Sequence, residues 1–131
     1  MGGYSVSYAR RFVALFLLTI PAWCQPSVDS IVHAATLRSP RFAFSEIPQG
    51  SIGVATGSGL GPATLQQSSS FPLQKMLGGT SLTITSGAQI LDGLMLYTLD
   101  RQIAFIMPSA TPLGLAQVRV TYNGQTSAPP M

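Results

Sequence analysis

From residue 39 onward turn-forming residues recur so often that they leave no room for long helices. Ser39-Pro40, Pro48-Gln49-Gly50, Gly57-Ser58-Gly59-Leu60-Gly61-Pro62, Gly78-Gly79, Ser86-Gly87, Asp92-Gly93, Pro108, Thr111-Pro112-Leu113-Gly114 and Asn123-Gly124 follow one another. Glycine supplies positive φ and proline fixes φ, so each marks a turn. Between them lie short runs of β-branched and aromatic residues, some alternating with polar ones. The pattern predicts strands over 30–37, 50–57, 80–85, 89–91, 94–99, 102–107 and 116–122. In Gln117-Val118-Arg119-Val120-Thr121-Tyr122 the valines and Tyr122 fall on one face and the polar residues on the other, as in a half-buried strand. Asp92-Gly93, flanked by apolar residues, reads as a tight hairpin turn, and residues 66–71, rich in Gln and Ser, as a surface loop. About seven short strands in roughly a hundred residues predict one all-β domain, a two-sheet antiparallel sandwich. A small barrel is the alternative.

The first 24 residues read differently from the rest. Arg10-Arg11 precedes the apolar run Phe12-Val13-Ala14-Leu15-Phe16-Leu17-Leu18-Thr19-Ile20, and Ala22-Trp23-Cys24 closes it with small residues at the last and third-last positions. A charged n-region, a short h-region and such a site make a secretory signal peptide, 1–24, with cleavage expected after Cys24. The apolar run is shorter than the about 20 residues that span a bilayer, which disfavours a retained anchor. A lipid-bearing Cys24 would need a small residue where Trp23 stands, and the residues after Arg10-Arg11 match a twin-arginine signal only loosely. The expected location is therefore secreted, periplasmic or cell-surface, with membrane contact only through the signal.

Of the 131 residues only 8% are charged, so Ser, Thr, Gln and Gly must form the wet surface. The formal charge of +3 owes much to Arg10 and Arg11. From Gln25 onward five cationic side chains face four acidic ones, a net of +1, and they are scattered singly. Phosphate neutralisation requires clustered Lys and Arg, so nucleic acid is not an expected partner. Cys24 is the one cysteine. Once it leaves with the signal, neither a disulfide nor a thiolate site remains.

Several motifs resemble a known family. Val32-His33-Ala34-Ala35-Thr36-Leu37 is similar to the opening strand, and Pro48-Gln49-Gly50-Ser51-Ile52 followed by Gly57-Ser58-Gly59-Leu60-Gly61-Pro62 to the central signature, of the immunoglobulin-like, TIG-type domain of secreted acidobacterial proteins, the Solibacter C-terminal domain. Leu77-Gly78-Gly79-Thr80-Ser81-Leu82-Thr83-Ile84, Gln102-Ile103, Pro108 and Tyr122-Asn123-Gly124 with Thr126-Ser127-Ala128-Pro129 extend the likeness. His33 and Ala104 stand where the family carries Asn, and Ala55-Thr56 replaces a bulky pair. The likeness stops short of the family's next strand, so it covers the front half of the unit. The polar, Pro-containing residues 25–30 read as a flexible start, and the likeness implies an Ig-like domain over 31–131 lacking its last strand. It brings no catalytic residue, and implies an exported binding or architectural module.

The residues themselves offer little chemistry. Gly57-Ser58-Gly59-Leu60-Gly61 lacks the spacing of a dinucleotide fingerprint, and Pro62 sits where its helix would grow. His33 is the only histidine, and no serine occupies a Gly-x-Ser-x-Gly elbow. Asp29, Glu46, Asp92 and Asp100 are isolated in sequence, which disfavours a calcium cluster and the paired carboxylates of a small secreted hydrolase. No catalytic, cofactor or metal residue is expected. The expected partner is a protein or polysaccharide, met through Phe42, Phe44, Phe71 and Tyr97 as the candidate surface, or an added strand or second copy at an edge left open. A truncated relic of a larger surface protein is the alternative.

Overall fold

The computed structural model describes residues 2–3, 25–38 and 46–128. The signal peptide expected over 1–24 lies outside them apart from two glycines. Ten strands and no helix occur among the described residues: β1 (Ser27–His33), β2 (Ile52–Ser58), β3 (Gln66–Gln67), β4 (Met76–Leu77), β5 (Thr80–Ser86), β6 (Gln89–Asp92), β7 (Leu94–Thr98), β8 (Gln102–Ile106), β9 (Gln117–Tyr122) and β10 (Gln125–Thr126). The seven expected strands are all present, with boundaries shifted by up to four residues. β1 opens at Ser27, earlier than read, because Val28 is buried in the core. Residues 27–30 are therefore strand where polar composition suggests a flexible lead.

Every pairing is antiparallel. One sheet runs β1-β2-β8-β7-β3; the other runs β10-β9-β5-β4, with β6 also against β5. The sheets meet face to face in a sandwich arrangement. Ala55, Met95, Ile103 and Phe105 from the first and Leu82, Ile84, Val118 and Val120 from the second form one buried cluster. The inward set of β9 is the pair of valines that alternation picks out.

Turn chemistry sets the hairpins. Gly78 and Gly79 join β4 to β5 with φ of 56° and 80°, and Asn123-Gly124 joins β9 to β10 with φ of 47° and 81°. Two consecutive positive φ values match the right-handed strand twist, which is why two-residue hairpins select Gly and Asn.

Asp92-Gly93 is a correction. β6 pairs with β5 in one sheet and β7 with β8 in the other, so the chain crosses between sheets here and forms no hairpin. Gly93 N–H donates to Leu82 O at 2.9 Å, and a Cβ on Gly93 would lie 2.9 Å from Leu82 Cδ2 and 3.4 Å from Phe105 Cδ2. Glycine is needed for close approach inside the core.

The first sheet is apolar on its outward face as well. Val32, Val54 and Ala104 are successive cross-strand partners there and form a second buried cluster with Ala34, Leu96 and Tyr97 packed against it. This explains Gln102-Ile103-Ala104-Phe105-Ile106, where apolar residues run without alternation.

Two buried threonines tie the sheets. Thr98 Oγ1 on β7 donates to Thr80 Oγ1 on β5 at 3.1 Å, and Thr80 Oγ1 donates to Leu60 O at 3.1 Å. All three residues are fully buried. Thr80→Val strands the Thr98 hydroxyl and the Leu60 carbonyl together, and is expected to cost about 1–3 kcal/mol in urea denaturation. Thr98→Val leaves Thr80 bonded to Leu60 and should cost about 1 kcal/mol or less. Equal or reversed costs would contradict this relay.

Candidate functional site

Two edge strands lie along one side of the sandwich. β1 is the outer strand of its sheet, and β9 is the outer strand of the other except where short β10 covers it. Gln25 Nε2 donates to Thr126 O at 2.6 Å and closes the gap between them at one end. Farther along, the gap opens into a cleft of about 350 Å³. Its walls include Ile31 from β1, Val118 from β9, Ile47 and Pro48 before β2, Met107 after β8, and Pro112 and Leu113 in the β8–β9 connection. Val118 and Met107 are buried; Ile31 and Ile47 are half-buried. Among the described residues Glu46 is the one ionisable side chain on the wall, which Gln49 also lines.

The loops that form the walls are pinned. Gly50 N–H donates to Met107 O at 2.8 Å and Met107 N–H to Ser51 O at 2.9 Å, extending the β2–β8 ladder past its strands. Ser51 Oγ donates to Pro48 O at 2.6 Å, and Thr111 Oγ1 to Pro108 O at 2.8 Å, each closing a turn. The Gln49 side chain reaches across to donate to Thr111 O. Ser86 Oγ sits 3.3 Å from Pro112 O and 3.4 Å from Leu115 O. With the backbone held inward at these points, Leu113 and Leu115 face solvent, 89% and 98% exposed. Two leucines with so little packing beside a preformed apolar cleft form a surface that water solvates poorly.

Of the four candidate aromatic residues, the two that the structure describes, Phe71 and Tyr97, are not at the cleft. Phe42 and Phe44 lie outside the described residues. Phe71 is 88% exposed in the connection between β3 and β4. Tyr97 sits half-buried on the outward face of the first sheet, its hydroxyl accepting from Gln102 Nε2 at 2.6 Å. Neither Phe71 nor Tyr97 lines the cleft.

The glycine-rich segment after β2 is committed to structure. Leu60 N–H donates to Asp100 O at 2.8 Å, Gly57 N–H to Arg101 O at 3.1 Å and Gly59 N–H to Asp100 Oδ1 at 3.2 Å. Asp100 thus spends a carboxylate oxygen on an amide that a phosphate cradle would need. His33 Nδ1 accepts from Ala35 N–H at 3.2 Å, a local turn contact. Asp92 pairs with Lys75 at 3.1 Å on the surface, with side chains 48% and 68% exposed, a contact worth about 0–1 kcal/mol. Among the described residues no three His, Cys, Asp or Glu side chains gather as a metal site. No helix among them is long and apolar enough to cross a membrane.

No protein-family model, curated protein or solved structure matches the chain.

Sequence reasoning missed the cleft because its walls come from three stretches far apart in sequence, at 31, 46–49 and 107–118. Its one local signal is Leu113-Gly114-Leu115, an apolar pair inside a turn where polar residues are the rule. Gln49→Ala should loosen the wall at Thr111 and cost about 0.5–1.5 kcal/mol by urea denaturation, with faster amide exchange in 108–116. Unchanged exchange there would show that Gln49 does not hold the wall.

Proposed function

We propose that this chain is an exported, non-catalytic immunoglobulin-like module of the TIG type, and that it binds another protein through the cleft between β1 and β9. The strand order supports the Ig-like reading. β1-β2-β8-β7 in one sheet and β10-β9-β5 in the other follow the A-B-E-D and G-F-C pattern of immunoglobulin sandwiches, with β6 in the place of an added strand beside C. The family resemblance in the sequence points the same way. Export rests on the charged, apolar and small-residue pattern of residues 10–24.

Binding rests on one observation: a pinned, apolar cleft flanked by solvent-facing Leu113 and Leu115. Concave apolar sites with few polar groups are where ligands gain most from leaving water. Among the described residues the wall is aliphatic, with two prolines, and carries no aromatic platform on which sugars stack. A protein side chain is therefore favoured over a polysaccharide.

A neutral apolar dye, N-phenyl-1-naphthylamine, tests this reading. Fluorescence titration of the full chain should saturate at one site. Leu113→Asp should weaken the dye about fivefold through lost apolar contact. Because Leu113 is 89% exposed, the same change should alter stability by no more than about 0.5 kcal/mol. Absent saturation, or a titration indifferent to Leu113→Asp, would sink the cleft as a binding site.

A further inference from the structure

The edge of β9 stops being paired where the cleft begins. β10 pairs with it as Gln125↔Tyr122 and Thr126↔Thr121, and Ser127 continues the ladder. Ser127 N–H donates to Val120 O at 2.8 Å while Ser127 Oγ accepts from Val120 N–H at 3.0 Å. Antiparallel ladders alternate in direction, so Val118, two residues from Val120, turns its N–H and C=O toward the same open side. Gln117 and Arg119 point theirs at β5. Among the described residues no backbone group bonds to Val118 from the open side. The sequence itself prevents the same hairpin from answering that carbonyl. Continuing the register would set Pro129 opposite Val118, and proline has no N–H to give.

The side chains beneath agree with the backbone. Val118 faces inward and forms part of the cleft floor. In an antiparallel pair, the residue opposite an inward residue is also inward. A strand laid against Val118 therefore puts one side chain into the cleft between Ile31 and Met107. The facing edge is less receptive: β1 carries a bulge between Val28 and Ser30, with exposed Asp29 at it, a device that discourages pairing.

We infer that β9 at Gln117–Arg119 is a strand acceptor, taking an extended segment of another protein whose backbone pairs with Val118 and whose apolar side chain fills the cleft. Glu46, the one ionisable wall residue among those described, selects a segment with Lys or Arg beside its apolar residues over an acidic one. This rests on the cleft being a binding site. It adds the ligand class, an extended basic-apolar peptide, and the main-chain bonds that recognise it.

The test uses the full chain, isotope-labelled, and the synthetic peptide Lys-Thr-Val-Thr-Val-Thr-Lys. One control peptide has its alternate backbone amides N-methylated, and a second has Glu in place of both Lys. The parent peptide should displace naphthylamine and slow exchange of the Val118 amide at least about tenfold, as a new main-chain hydrogen bond requires. The amides of Gln117 and Arg119, already bonded to β5, should change little. The methylated peptide should lose the protection, and the Glu peptide should bind more weakly. Dye displacement without Val118 protection, or equal binding of the methylated peptide, overturns strand addition and leaves the cleft intact as a site. A Val118 amide already protected without peptide, with protection lost on dilution, overturns it in favour of a second copy. If neither dye nor peptide binds, the binding reading falls with it.

Discussion

The ring of Phe105 occupies space that two glycines leave empty, and the sandwich is organised around that fit. Gly53, its cross-strand partner on β2, would place a Cβ 2.6 Å from the ring, and Gly93, at the crossing between sheets, would place one 3.4 Å away. The ring is fully buried, with Leu82 of the opposite sheet against the same crossing. Burying a phenylalanine contributes about 1.5–3 kcal/mol, and the described residues contain no cysteine with which to cross-link the sheets. Adhesion between the layers thus depends on packing, supplemented at one point by the hydroxyl relay through Thr98 and Thr80 to Leu60.

The chain path converts that packing into a site. Crossing at Gly93 lets β6 and β7, neighbours in sequence, belong to different sheets, so β5 can pair with β9 and β8 with β2. That arrangement leaves β1 and β9 as outer strands on the same side. β10 and the Gln25 side chain cover one end of the opening between them. The uncovered end, floored by Met107 and Val118, is the cleft. Site and core are thus continuous: Val118 belongs to both.

Much of the fold was legible because its signals are local. Alternation located β9, the β-branched run located β5, and Asn123-Gly124 and Gly78-Gly79 marked turns that the structure shows to be hairpins. The three short strands were not legible, since Gln66-Gln67, Met76-Leu77 and Gln125-Thr126 carry no strand pattern and are ordered by their partners β7, β5 and β9. Asp92-Gly93 misled because a hairpin turn and a crossing between sheets both need glycine, for positive φ in one case and for lack of a side chain in the other. The unalternating run in β8 reflects burial on both faces of its sheet, which only the cross-strand row Val32-Val54-Ala104 reveals. Asp100 is isolated among the acids in sequence, and its tie to Gly59 spans 41 residues. The cleft escaped for a similar reason: its wall residues are ordinary core residues individually, and become a site only through the gap between two edges.

The contact between Gln25 and Thr126 also bears on mechanics. These two residues meet at one corner of the sandwich although 101 positions separate them. Tension applied at these two residues would act at that corner, peeling β1 from β2 and β10 from β9 one bond at a time. Peeling of this kind yields at lower force than a geometry in which a whole ladder shears at once.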